Sequence, residues 1–172
     1  MALLPLLFAP DPRLKRKATP VTVVDARVVK LIDDMLETMY HFKGIGLAAP
    51  QVDVLERVVV VDIADKDSPP EPMALVNPEV VWVSEDTVPY NEGCLSLPDQ
   101  FADVDRPRAV RVRYLDRTGQ ELELVAEGVL AVCVQHEIDH LDGVLFVDYI
   151  SAIRRGIILR RLQKMKKSGT LD

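Results

Sequence analysis

The stretch Gln135-His136-Glu137-Ile138-Asp139-His140 sets two histidines four residues apart, with a glutamate directly after the first. On a helix of about 3.6 residues per turn the two imidazoles lie one above the other on one face, where both can reach a single metal ion. Glu137 lies about 100° round the helix from His136, so it can flank such an ion without ligating it and take a proton from a water there. A general base belongs in that position. The same spacing also arises as an ordinary polar helix face, so the surrounding residues must decide.

Two neighbours do so. The run Gly128-Val129-Leu130-Ala131-Val132-Cys133-Val134 is apolar on every side, the mark of a buried helix. Histidines, a glutamate and an aspartate emerging from it are costly to bury unless something satisfies them. The chain has three histidines, His41, His136 and His140. His41 falls in the last turn of another predicted helix, where an imidazole suits the helix dipole. A third ligand must come from elsewhere. Cys94, in Glu92-Gly93-Cys94-Leu95-Ser96-Leu97-Pro98, would by itself read as a small buried apolar residue. Beside a His-Glu-x-x-His that lacks a third histidine it reads as a thiolate ligand. One thiolate and two imidazoles leave the fourth position of a tetrahedral ion for water. Cys133, inside the apolar helix, is assigned to the pocket wall.

The segment Gly44-Ile45-Gly46-Leu47-Ala48-Ala49-Pro50-Gln51 is a third unusual feature. Two glycines one residue apart, then small residues and a proline, indicate backbone that passes close to something and is fixed in shape. It lacks the spacing and lysine of a phosphate loop. Gln51 offers two amide donors, as a surface residue of a tight loop or as part of a substrate loop.

The elements that must position these groups follow from periodicity. Asp25 to Lys43 is predicted as a helix capped by Asp25, with Val28, Leu31, Ile32, Met35, Leu36 and Met39 as its apolar stripe and Gly44 as its left-handed stop. Strands are expected at Arg57 to Ile63, Met73 to Asn77 and Glu79 to Ser84, with a loop from Asp65 to Pro72. Ala109 to Leu115 and Gln120 to Val125 alternate around the turn Asp116-Arg117-Thr118-Gly119, a hairpin with one wet face. Strands gathered around a central metal-binding helix, with further helices at each end, predict an α+β fold of mixed or antiparallel strands. At 172 residues one catalytic domain, 1–172, is expected.

The three segments 44–51, 92–96 and 135–140 resemble, in order and spacing, the three signature motifs of peptide deformylase, and the short form with a C-terminal helix resembles the bacterial type. The similarity spans nearly the whole chain. It implies removal of the formyl group from the N-terminal formylmethionine of new proteins, giving formate and a free methionine. It implies Cys94, His136 and His140 as metal ligands, Glu137 as general base, and the Gln51 side chain and Leu95 backbone N–H as oxyanion donors. The ligand types accept Fe(II), Zn, Ni or Co, and the resemblance implies ferrous iron in the cell. It also implies a methionine pocket, for which Val129, Val132, Cys133 and His136 share one helix face and Ile45 can close the opposite side. The backbones of Gly46 and Gly93 are expected to pair with the substrate as an added strand. Phe101 departs from the family, many bacterial members having arginine there. Glu92 and Arg106 match a pair expected to position the Cys94 strand.

Charge is uneven. From Ser151 on the chain carries +6 and the remainder −12. Ile153, Ile157, Ile158 and Leu162 mark the docked side of a basic helix over 151–170, whose outer face is expected to meet ribosomal RNA. The opening Met1 to Phe8 is apolar but broken by Pro5, and is expected to be an extended packed segment. No apolar run reaches the roughly 20 residues of a membrane span, and a cytoplasmic protein with both cysteines reduced is expected. A metalloprotease would take its third ligand downstream, where no histidine follows His140. A metal or redox sensor would need neither Glu137 nor the Gln51 loop.

Overall fold

Helix α2, Gly128–Leu141, is buried from Ala131 to Leu141 except at Asp139, while the first residues of its apolar run, Gly128 and Val129, are exposed. The computed structural model describes residues 1–171; Asp172, the one acid counted in the basic tail, lies outside them. Around α2 stand α1 (Ala26–His41), β1 (Gly46–Ala48), β2 (Val58–Val61), β3 (Met73–Val83), β4 (Thr87–Cys94), β5 (Leu97–Pro107), β6 (Ala109–Leu115), β7 (Glu121–Glu127) and α3 (Ala152–Lys167). Five strands form one sheet in the order β1-β2-β3-β6-β7, and β4 and β5 form a separate pair. Every ladder is antiparallel, so the α+β expectation holds.

The four valines of β2 are buried on both faces. Val59 and Val61 meet Val134, Ile138 and Leu141 of α2, whereas Val58 and Val60 meet Val28, Ile32, Met35 and Met39 of α1. The large sheet is thus held between two helices. The hairpin β6-β7 forms as predicted, with Val110, Val112 and Tyr114 inward and Arg111 and Arg113 outward. Its turn is closed by the Asp116 carboxylate, which accepts from the backbone N–H groups of Thr118 and Gln120.

Four expectations need correction. The predicted left-handed stop Gly44 is not the residue at positive φ; Lys43 is, at 58°. Lys43 N–H bonds the Tyr40 carbonyl and Gly44 N–H the Met39 carbonyl, a Schellman ending displaced by one residue. Gly44 is small for another reason: a β-carbon there would come within 2.7 Å of Leu95 Cδ1. The two short strands predicted at 73–77 and 79–84 are one strand, β3. Pro78, which has no N–H, interrupts its ladder only as a shift of register between Val76 and Glu79. Strands β4 and β5 were not predicted, because their inward positions carry Gln100, Ala102 and Arg106 as well as Val104, and the period is hidden from hydropathy. On α3 the docked side is Ile158 and Leu162, backed by Leu159 and Met165, while Ile153 and Ile157 face solvent. Burying the first two contributes about 2 kcal/mol each.

The opening segment, expected to be packed from Met1 to Phe8, is tied down through its backbone and buries Leu7, while Met1, Leu3 and Pro5 stay exposed. Ala2 and Leu4 N–H groups bond Asp34 and Thr38 of α1, Leu7 N–H the Gln51 carbonyl and Ala9 N–H the Ser96 carbonyl. Residues 6–9 therefore cross directly beside two of the three motif segments.

Candidate active site

Cys94 closes β4, a two-residue turn of Leu95 and Ser96 follows, and β5 begins at Leu97. This hairpin end lies against the C-terminal half of α2. Cys94 Sγ stands 3.3 Å from His140 Nε2, and the ligand atoms of Cys94, His136 and His140 all fall within 4.8 Å of one another. A tetrahedral ion with ordinary bonds to sulfur and nitrogen holds two such atoms about 3.5 Å apart. His41, as expected, is exposed at the end of α1 and outside this cluster.

His136 is aimed by a partner, whereas His140 Nδ1 is buried without one. His136 Nδ1 lies 2.9 Å from Glu92 Oε1, which accepts the ring N–H and leaves Nε2 for the cluster. Burial alone would push the Glu92 carboxyl up, but Arg106 and His136 hold it below the usual range. Arg106 grips Glu92 with two hydrogen bonds at 2.7 and 2.8 Å and reaches Asp139 at 2.6 Å; Tyr149 also donates to Asp139, at 2.8 Å. Burial disfavours a charged His136, but its hydrogen bonds with Cys94 and Glu92 outweigh that and hold its pKa above the ordinary imidazole value. Burial holds the His140 imidazole neutral. A cysteine sulfur and two buried imidazoles, one of them oriented by Glu92, are a donor set that fits a divalent metal ion.

Glu137 is buried, with Oε1 3.9 Å from His136 Nε2 and Oε2 without a partner in the protein. Burial pushes its carboxyl up to about 7. Gly46 makes room for it: a β-carbon there would come within 2.8 Å of Glu137 Oε1 and 2.9 Å of Cys133 Sγ. Gln51, buried in the single turn Ala49–Val52, is fixed at its oxygen by Ala48 N–H at 2.9 Å. Its Nε2 therefore faces Ser96 Oγ at 3.0 Å and Cys94 Sγ at 3.5 Å.

A cavity of about 620 Å³ opens beside these groups, a size usual for small-ligand sites. Leu95, Ile45, Gly46, Gly93, Val129, Val132, Cys133, His136, Glu137 and Cys94 line it; Gln51 and His140 lie behind the lining. Two strand edges frame it. Asp62 N–H bonds the Ile45 carbonyl at 2.9 Å, so Gly46 and Val61 are the next, non-hydrogen-bonded pair of the ladder. The N–H and C=O of Gly46 therefore point to the open edge of β1. Across the cavity, Gly93 sits at a register shift of β4 between Glu92 and Cys94.

The sequence and the fold are similar to those of proteins of known family. The sequence matches the polypeptide deformylase family model over residues 3–156. This chain belongs to that family. It is 53% identical over 167 residues to the peptide deformylase of Azotobacter vinelandii, covering 97% of this chain and 98% of that one. To the Rhizobium meliloti peptide deformylase it is 50% identical over 168 residues, 98% of this chain and 97% of the other. Its fold is similar to the crystal structure of Ehrlichia chaffeensis peptide deformylase in complex with actinonin, with TM-score 0.92 and 39% identity over 95% of this chain and 98% of that one. The family's reaction, metal-dependent hydrolysis of the formyl group of an N-terminal formylmethionine, is the one the sequence motifs imply. The family is one of hydrolases, and the Cys94, His136 and His140 cluster is its candidate metal centre here.

Sequence reading gave no role to Asp139, Tyr149, Ser96, Phe8 or Leu171. Ser96 and Asp139 stood inside the motif segments, so proximity was the available signal. Tyr149, Phe8 and Leu171 reach the site only through tertiary packing.

Proposed function

We propose that Cys94, His136 and His140 hold one divalent metal ion and that Glu137 drives removal of the formyl group from N-terminal formylmethionine of newly made proteins. Such an ion supplies a Lewis acid that makes water a competent nucleophile near neutral pH. Glu137, buried and unpartnered at Oε2, takes the proton of the attacking water and returns it to the leaving amine. Gln51 Nε2 and the Leu95 N–H meet the charge that develops on the formyl oxygen, each donor being worth about 3 kcal/mol of barrier. The products are formate and a free methionine N-terminus.

Val129, Val132, Cys133, His136 and Ile45 receive the methionine side chain. The open edges at Gly46 and Gly93 receive the peptide backbone as an added strand, which reads main chain and tolerates many sequences. The metal is ferrous iron in the cell, with zinc, nickel or cobalt as substitutes. The acting site is the cytoplasm, where nascent chains carry the formyl group; among the described residues no helix is long and apolar enough to cross a membrane. The seven basic side chains of α3 are all exposed and support contact with ribosomal RNA. Co-sedimentation with ribosomes that is lost as salt rises is expected, and no binding at low salt would sink the contact.

The observation that carries the reading is the convergence of the three-ligand cluster with a buried, unpartnered Glu137. The test is formate release from formyl-Met-Ala-Ser by anaerobically purified protein with metal measured on the same sample. Release in proportion to bound metal is expected; tight metal binding without formate would overturn the reading.

A further inference from the structure

A second, smaller hollow of about 170 Å³ shares no lining residue with the large cavity; Arg106, Gln135, Asp139 and Tyr149 border it. Tyr149 is 51% exposed there, yet both parts of its side chain are engaged. Its hydroxyl donates to Asp139 Oδ2 at 2.8 Å, and the guanidinium carbon of Arg106 lies 4.7 Å from the centre of its ring.

These contacts begin a chain that leads inward. Asp139 Oδ2 also accepts from Arg106 Nη1 at 2.6 Å, Arg106 holds Glu92 through Nε and Nη2, and Glu92 Oε1 lies 2.9 Å from His136 Nδ1. Exposure falls along it: Tyr149 is open to solvent, Asp139 is half-buried, and Arg106, Glu92 and His136 are buried. The backbone supplies a second tie. Tyr149 ends the single turn Phe146–Tyr149, whose first residue is buried with its ring stacked on that of His136, centroids 6.2 Å apart. One turn therefore meets the His136 ring directly and also reaches its Nδ1 through Asp139, Arg106 and Glu92.

Asp139 is the loosest part of this chain. Its side chain is 23% exposed, so water competes with Arg106 for the carboxylate. The Tyr149 hydroxyl holds that carboxylate in place. The ring covers one face of the guanidinium, a cation–π contact that shields the buried pair of Arg106 and Glu92 from solvent on that side.

We propose that Tyr149 is a positioning residue for the metal centre, fixing Asp139 and Arg106 and, through Glu92, the orientation of His136. The proposal rests on the reading of Cys94, His136 and His140 as metal ligands. An exposed tyrosine outside the three motif segments thus tunes how tightly those ligands hold their ion.

The test is zinc affinity of the full-length protein, read by chelator competition in a double-mutant cycle of Tyr149→Phe with Glu92→Ala. Phenylalanine keeps the ring over Arg106 and removes only the hydroxyl. Tyr149→Phe is expected to weaken zinc binding about three- to tenfold, less than loss of a ligand's direct partner, and Tyr149→Leu to weaken it further. With the path cut at Glu92→Ala, adding Tyr149→Phe should change affinity by less than about twofold. Arg106→Lys, which cannot bridge both carboxylates, supplies a second background with the same expectation should Glu92→Ala not fold. Unchanged zinc affinity in Tyr149→Phe, or an equal loss with the path intact and cut, would overturn the positioning role and leave the metal reading standing. A parent protein that holds no zinc would overturn both.

Discussion

Glu92 Oε1 lies 2.9 Å from His136 Nδ1 and the same carboxylate is gripped by Arg106 through Nε and Nη2, so one buried acid orients a ligand from the strand that also carries Cys94. Glu92 thereby sets the imidazole's tautomer on the same strand that places the Cys94 sulfur two residues on. Replacing Glu92 by Ala removes the acceptor and leaves Arg106 with Asp139 alone. Affinity for zinc, followed by chelator competition, is expected to fall about 10- to 100-fold. Thermal unfolding should show a loss on the order of 3 kcal/mol from the half-unpaired buried guanidinium. Glu92→Gln keeps an acceptor for the ring and should lose less metal affinity; equal losses in the two variants would mean that the hydrogen bond to His136 does not matter.

Glu137 separates catalysis from metal holding. Its carboxylate is outside the three-ligand cluster but within the same cavity. Glu137→Ala is expected to keep one metal per chain while kcat for formyl-Met-Ala-Ser falls at least about 10²-fold. Turnover within threefold or so of the parent would remove Glu137 from the mechanism, and loss of metal would make it a ligand instead.

Gly46 is set by distance, because the nearest neighbours of an added β-carbon are the Glu137 carboxylate and the Cys133 sulfur. Gly46→Ala must displace one of them. Small displacements of catalytic groups cost about 10²-fold in rate, so kcat should drop while metal content is retained. Pairing Gly46→Ala with Cys133→Ala tests the cause. Partial recovery in the double variant is expected if the sulfur is what pushes the added methyl towards Glu137.

The central chemistry was legible because it is written in short segments. The i, i+4 histidines, the following glutamate and the Gly44 to Gln51 run each carry their geometry locally, and the structure brings them to one cavity. The β4-β5 hairpin was not legible, because Gln100 and Arg106 occupy inward positions that hydropathy scores as outward. Arg106 is buried only because Glu92 and Asp139, distant in sequence, satisfy it. Gly44 misled for a related reason. Its smallness answers Leu95 across the site, while the left-handed residue is Lys43, which no propensity rule would choose. Leu171 reaches the cavity through the docking of α3, a relation no local pattern encodes.

Asp34 gives the fold a dependence on acid pH. Its Oδ2 meets Lys30 Nζ at 2.7 Å and its Oδ1 accepts from the Ala2 N–H at 2.7 Å, tying the opening segment to α1. Lys30 first, and then the Ala2 N–H, hold the carboxyl below its usual value against the effect of burial. A carboxyl depressed in the folded state stabilises it above the ordinary carboxylate pKa, and that contribution fades as pH falls through the folded value. Lys30 is mostly exposed, so the contribution is modest, about 1 kcal/mol. Asp34→Asn should therefore lower the unfolding temperature at pH 7 by a few degrees. The gap to the parent protein should narrow as the pH drops below about 4. A gap that stays constant from pH 7 to pH 3 would assign the loss to packing and not to the charge on Asp34.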